Sequence, residues 1–308
     1  MIDLHTHSSF SDGSDTPYQL AQNAARLGIT TIALTDHDTS ASHEEMAAAC
    51  AEFGLDLIPG VEVSLKDHSF TRPSSTGEPA PINVHMLAYF IPTDESHPFQ
   101  EQLRELRNDR ERRNRALVEL LVSLGFTRLS LDYLVSMTDN ADSVGRPHFA
   151  RAMFELHPEI VGERNDDSWG RIFTEWLGNG GKAYIPKTEK SMEEFIAAGR
   201  PYGVVFSIAH PLVNYTTVGD ETEIATVMPG VLASLRDRGV QGVEAYYGGC
   251  DERTRQQMVH LTKNAGMIAT GGSDYHGAYK TDVLLGRGRS GDLHVPNEVV
   301  PALYAARG

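Results

Sequence analysis

Short runs of β-branched and aliphatic residues, bounded by turn residues, alternate along this chain with segments of helical period, and few folds accommodate that alternation. Seven such runs fall at 2–5 (IDLH), 30–35 (TTIALT), 55–63 (LDLIPGVEV), 83–90 (NVHMLAYF), 204–209 (VVFSIA), 242–247 (GVEAYY) and 267–272 (MIATGG). Most are preceded by a helical stretch. Thr16-Pro17 supplies an N-cap and a first helical residue, and Gly28 a stop. Ser191 and Glu194 have capping-box spacing just ahead of the run at 204. Residues 40–53, 221–238 and 252–265 also read as helices leading into strands. Repeated αβ units imply a parallel sheet or a barrel.

Two stretches break the rhythm. Lys66 to Pro81 is rich in Ser, Pro and Gly without helical period, and reads as a long loop or an irregular hairpin. Residues 97–190 are too long for a crossover. They open with a helical pattern through Leu103, Leu106, Leu117, Leu120, Leu121 and Leu124, stopped by Gly125, and continue with apolar segments at Phe149–Leu156 and Trp169–Leu177. This span is predicted to be a mostly helical insertion domain between two barrel segments, 1–96 and 191–308.

With 308 residues the chain can bury a full core without disulfides, and Cys50 and Cys250 lack any CxxC spacing. The N-terminus has neither a basic nor an apolar leader region, and no apolar run approaches the ~20 residues that span a bilayer. A cytoplasmic protein with no membrane association is expected. The net charge of 27 − 42 = −15 argues against a broad nucleic-acid-binding surface.

Histidines and carboxylates gather at or just past the ends of the strand runs, where parallel α/β folds place their sites. His5 and His7 are two apart, so an extended segment points both imidazoles the same way. Asp12 follows. The second run ends Thr35-Asp36-His37-Asp38 and the third reaches Glu62. The fourth carries His85, the fifth leads to His210, and the seventh to Asp274 and His276. A lone strand histidine is ordinarily a core or surface residue. Six of thirteen histidines at five strands, with three carboxylates beside them, make that explanation fail on repetition. His43, His68, His97, His157, His260 and His294 lie elsewhere and carry the ordinary reading. Nine nitrogen and oxygen ligands without sulfur suit Mn, Fe or Zn and exceed the needs of one ion. Several ions close together would clamp a phosphate, which points to phosphate-ester hydrolysis.

Asp3-Leu4-His5-Thr6-His7, Thr35-Asp36-His37-Asp38, Pro59-Gly60-Val61-Glu62 and Ser273-Asp274-Tyr275-His276-Gly277 resemble, in that order, the motifs of the PHP (polymerase and histidinol phosphatase) superfamily. Arg146-Pro147-His148-Phe149-Ala150 and Gly242-Val243-Glu244-Ala245-Tyr246-Tyr247 add a resemblance to its stand-alone nucleotide phosphoesterases, which carry an insertion domain at the corresponding place. The resemblance implies a distorted (β/α)7 barrel and two or three divalent transition-metal ions. It places His5, His7, Glu62 and Asp274 on a first metal, Glu62, His85 and His210 on a second, and Asp12, His37 and His276 on a third. Glu62 bridges, and Asp3 orients a ligand. Asp38 is a proton donor or another orienting group.

Arg146 and His148 are the substrate candidates outside the cluster, Arg offering a two-pronged match to phosphate oxygens. The plain alternative is a surface salt bridge for Arg146 and an interdomain seam for His148. Arg104, Arg107, Arg110, Arg112, Arg113 and Arg115 make one helix strongly basic; most should be solvated, with Arg113 or Arg115 favoured to face the cleft. Gly271-Gly272-Ser273 lacks the GK[ST] ending of a phosphate-cradling loop. The expected activity is release of phosphate from a small nucleotide, a nucleoside monophosphate or a 3′,5′-bisphosphate, by a hydroxide bridging the metals. The rivals are 5′-3′ trimming of short RNA ends, then histidinol-phosphate hydrolysis, then a non-catalytic metal-binding module. Oligomeric state is not legible.

Overall fold

The computed structural model describes residues 1–73, 77–138, 144–178, 180–186, 190–216 and 220–307. Seven strands form one sheet in chain order: β1 (Ile2–Thr6), β2 (Thr31–Leu34), β3 (Asp56–Pro73), β4 (Pro79–Tyr89), β5 (Val205–Ile208), β6 (Gly242–Tyr247) and β7 (Ile268–Gly272). The chain after β7 returns to β1. Asp274 N–H donates to His5 O at 2.9 Å and His7 N–H to Tyr275 O at 3.0 Å, so the sheet curls into a nearly closed barrel. Close approach at that seam requires glycine, because a Cβ on Gly272 would lie 2.4 Å from His5.

Helices α1 (Pro17–Arg26) and α2 (His43–Phe53) precede β2 and β3. Between β4 and β5 come α3 (Pro98–Ser123), α4 (Leu131–Val135), α5 (Arg146–Leu156), α6 (Pro158–Val161), α7 (Asp166–Ile172), a π-helical turn over Phe173–Leu177, and α8 (Met192–Gly199). After β5 follow α9 (Pro211–Tyr215) and α10 (Glu221–Asp237); α11 (Glu252–Asn264) links β6 to β7, and α12 (Val299–Ala305) comes last. The local signals act as expected. Thr16 caps α1 reciprocally with Gln19, Ser191 caps α8 with Glu194, and Gly28 takes the left-handed conformation past the end of α1.

Alternating αβ units predict parallel neighbours throughout, and the sheet departs from this at β4, which runs antiparallel to both β3 and β5. The reason is the missing helix. β3 continues past the barrel rim to Pro73 and turns back as β4, so the stretch expected to be a loop or an irregular hairpin is a hairpin, irregular where the register shifts between Asp67 and Thr71. Its base is anchored by the buried Asp67, whose carboxylate accepts from Tyr215 Oη at 2.7 Å and from both Arg238 Nη atoms at 2.8 and 3.0 Å.

Separate apolar clusters fill the molecule. One lies under β3–β6 and includes Val61, Met86, Phe206 and Leu235, while another, with Leu117, Leu121, Phe126, Phe149 and Met153, belongs to α3–α7 and the π-turn. Helix α3 joins them: Leu103 and Leu106 pack in the first, Leu117 and Leu121 in the second. This continuous helix holds the helical segment over the barrel rim.

Candidate metal centre

The rim gathers side chains from six of the seven strands. β1 and the residue after it deliver His5 and His7, the segment after β2 His37, β3 Glu62, β4 His85, the segment after β5 His210, and the loop after β7 Asp274 and His276. His85 lies inside its strand, not at an end, because β4 crosses the rim in reverse and pairs His85 with Ser64, two residues past Glu62. Three of the four non-glycine residues with positive φ among those described are here: Asp38, His210 and Asp274. Such backbone is strained, and strain concentrates where side chains must be aimed.

Glu62 stands at the centre, buried. Its Oε1 lies 2.9 Å from His85 Nδ1 and 3.1 Å from His210 Nε2; its Oε2 lies 3.4, 3.3 and 3.2 Å from His5 Nε2, His7 Nε2 and His37 Nδ1. Asp274 Oδ1 is 3.6 Å from the Nε2 of both His5 and His7, and Asp12 Oδ1 is 3.3 Å from His276 Nε2. Three sets of atoms are close enough to share an ion: His5, His7 and Asp274; Glu62, His85 and His210; and His7, Asp12, His37 and His276. All nine residues singled out from the sequence come together.

The donor set fits cations. His5 Nε2, His7 Nε2, His37 Nδ1, His210 Nδ1 and Asp12 Oδ1 are buried without a hydrogen-bond partner, an arrangement proteins avoid unless something else satisfies the atoms. Burial pushes the Glu62 and Asp12 carboxyls up, but the facing imidazoles outweigh it and hold both well below the usual range. Burial holds His37 well below the ordinary imidazole value, and His276 below it with Lys280 and His7 adding to the effect. Imidazole and carboxylate without thiolate suit Mn, Fe or Zn.

A shell of partners aims these ligands. Glu244, buried in β6, takes His5 Nδ1 at 2.9 Å on one oxygen and accepts from the His210 backbone N–H at 2.7 Å on the other. The motif containing Glu244 was visible in the sequence, but its role was not, since β6 contributes no histidine. Asp3 accepts from Ser273 N–H and Oγ and from Gly286 N–H, and so pins the loop bearing Asp274. Asp36 collects the hydroxyls of Ser8, Ser11 and Ser42, and Ser11 in turn lies 3.4 Å from His7 Nδ1.

Above the cluster is a cavity of about 360 Å³, roofed by the helical segment. Of the basic helix, Arg110 and Arg113 line it. Arg110 belongs to the basic helix named from the sequence but was not favoured for the cleft, and its Nε donates to Asp38 Oδ2 at 3.0 Å. Arg115 does not reach the cavity: it pairs with Glu111 one turn back on the exposed face of α3. Arg146, the first residue of α5, lines the wall; His148 does not. His148 is buried, with Nδ1 accepting the Gly145 N–H at 3.0 Å, so it caps α5 and thereby sets Arg146 at the cavity. Burial beside Arg110 and Arg146 pulls the Arg113 guanidinium down to about 10, and burial also lowers Arg146. Lys280, salt-bridged to Asp274 at 2.8 Å, adds another cation that periodicity could not reveal.

A barrel rim with clustered imidazoles and carboxylates under a cationic roof defines a metal-dependent phosphoesterase. The chain belongs to the PHP domain family, whose sequence model matches residues 3–164. It is 28% identical over 274 residues to a 5′-3′ exoribonuclease of Haemophilus influenzae, covering 89% of each protein. It is also 28% identical over 276 residues to a 3′,5′-nucleoside bisphosphate phosphatase of Chromobacterium violaceum, covering 89% of this chain and 87% of that one. A crystal structure from Bifidobacterium adolescentis, inferred to be a metal-dependent phosphoesterase, superposes with a TM-score of 0.77 at 27% identity, covering 99% of this chain and 96% of the other.

Proposed function

We propose that the protein releases phosphate from small nucleotides, nucleoside monophosphates or 3′,5′-bisphosphates, using two or three divalent ions of Mn, Fe or Zn. The observation that carries this reading is the cavity, with the Glu62 cluster as its floor and Arg113 and Arg146 in its wall. Its volume is at the low end of small-molecule sites and suits one nucleotide better than a strand. The relative named as a nucleoside bisphosphate phosphatase supports the choice.

Residues 1–96 and 191–308 then form the hydrolytic barrel, and 97–190 an insertion that completes the substrate cleft. His5, His7, Glu62 and Asp274 would hold one ion, His85 and His210 with Glu62 a second, and Asp12, His37 and His276 a third. Bound divalent ions polarise phosphoryl oxygens and activate water near neutral pH. Arg113 and Arg146 grip phosphate oxygens, and Asp38 acts as an orienting group that locks Arg110 instead of donating a proton. Glu244 fixes the His5 ring and the backbone of His210 together. Preorganised charge of this kind needs no rearrangement as negative charge moves toward the leaving oxygen.

The second reading is 5′-3′ removal of nucleotides from short RNA, which the Haemophilus relative's name favours. Phosphate release and product length, measured with Mn on nucleoside monophosphates, 3′,5′-bisphosphates and 5′-phosphorylated oligoribonucleotides, separate the two. Faster turnover of mononucleotides supports the proposal, and faster oligonucleotide shortening replaces it.

A further inference from the structure

The cavity is chemically lopsided. Most of its lining is charged or polar, whereas Pro147, Trp169 and Phe173 contribute an apolar part. A phosphate has no use for that apolar part. Trp169 and Phe173 are four residues apart across the junction of α7 and the π-turn, which places them on one face. Their rings meet nearly at right angles, with centroids 5.7 Å apart and planes inclined by 73°, and so make a corner. The π-turn itself is informative, because such turns are rare and concentrate at functional sites. Trp169 is braced by Phe154 at 6.1 Å and by the Arg164 guanidinium over its ring at 4.4 Å, so the corner exists before substrate arrives and costs little ordering on binding.

Resting on the nucleotide reading above, we infer that Trp169 and Phe173 form the nucleobase subsite, and that it recognises a base by its flat apolar surface and not by its hydrogen-bonding edge. No Asn, Gln or Thr side chain lines the cavity among the described residues, Arg110 is paired with Asp38 and Tyr279 with Arg151, and Arg113 and Arg146 are assigned to phosphate, so side chains left to read a base edge are few. Aromatic contact is tolerant of sequence because every base has a π-face. The enzyme therefore discriminates weakly among adenine, guanine, cytosine and uracil, but strongly between a nucleotide and a sugar phosphate.

The test measures kcat/KM with Mn for AMP, GMP, CMP, UMP and ribose 5-phosphate on wild type, Trp169→Phe, Trp169→Ala and Phe173→Ala. The four nucleotides should fall within roughly tenfold of one another. The preference for AMP over ribose 5-phosphate should drop roughly five- to a hundred-fold in Trp169→Ala, mostly through KM, and Trp169→Phe should keep most of it. Phe173→Ala gives an independent reading should Trp169→Ala fail to fold. Active nucleotide hydrolysis with an unaltered preference in Trp169→Ala and Phe173→Ala overturns the subsite while leaving the nucleotide reading intact. A wild-type enzyme that cleaves neither these monophosphates nor nucleoside 3′,5′-bisphosphates overturns both.

Discussion

Among single residues, those that touch the ligands matter as much as the ligands. Glu244→Gln keeps the shape but removes the charge that faces His5 Nδ1, and second-layer changes of this kind cost about 10- to 100-fold in metal affinity or activity. Titration of metal-stripped Glu244→Gln with Mn, read by restored activity, should show that loss with the fold intact by circular dichroism. Arg146 tests the wall instead. Truncation to Ala deletes a charge-assisted contact of about 1.5–3 kcal/mol, so kcat/KM should fall roughly ten- to a hundred-fold while bound metal stays at the wild-type level. A loss confined to KM marks a phosphate held equally before and during reaction; a fall in kcat marks the phosphoryl group being transferred. Unaltered kinetics on every nucleotide, or lost metal, would remove Arg146 from the phosphate clamp.

At the scale of elements, the β3–β4 hairpin has the most to explain. It runs beyond the rim, reverses the local strand direction and yet carries both Glu62 and His85. Its base is fastened by Asp67 to Tyr215 of α9, the short helix that follows His210 directly, and to Arg238 at the end of α10. Asp67→Asn weakens those bonds and leaves Glu193 as the carboxylate partner of Arg238. A destabilisation of about 1.5–3 kcal/mol is expected in urea, the range for hydrogen bonds involving a charged group. An unchanged midpoint and slope would mean that the hairpin is held by its apolar face alone. The π-turn has a comparable local logic: Gly178 N–H reaches back five residues to Phe173 O at 2.6 Å, and a Cβ on Gly178 would sit 2.5 Å from that oxygen.

For the whole molecule, the barrel seam, the hairpin and the roof converge on one cluster whose buried nitrogens lack protein partners, so folding and metal binding should be coupled. Metal that binds only the folded chain at about a thousand times its Kd adds ~4 kcal/mol. At roughly 2–4 °C per kcal/mol for chains approaching this size, chelation should lower Tm by about 8–16 °C. Calorimetry before and after chelation, beside elemental analysis expected to find two or three ions per chain, measures this directly. Metal-free preparations with undiminished Tm and full activity would contradict it.

Local chemistry determined much of this protein from sequence alone. Strand positions, the caps at Thr16 and Ser191, and nine ligand candidates follow from period, turn residues and the i, i+2 spacing of His5 with His7 and Asp274 with His276, because each is a short-range property of the chain. Other features were decided only by tertiary structure. The reversal of β4 depends on a hairpin whose composition reads equally as loop. The choice of Arg110 and Arg113 over Arg115 depends on how α3 is rotated between two apolar clusters, and six arginines on one helix are indistinguishable until that rotation is fixed. Glu244 becomes the partner of His5 only once the barrel closes, 239 positions apart in the chain. Pairings across such distances come from packing, which no local pattern encodes.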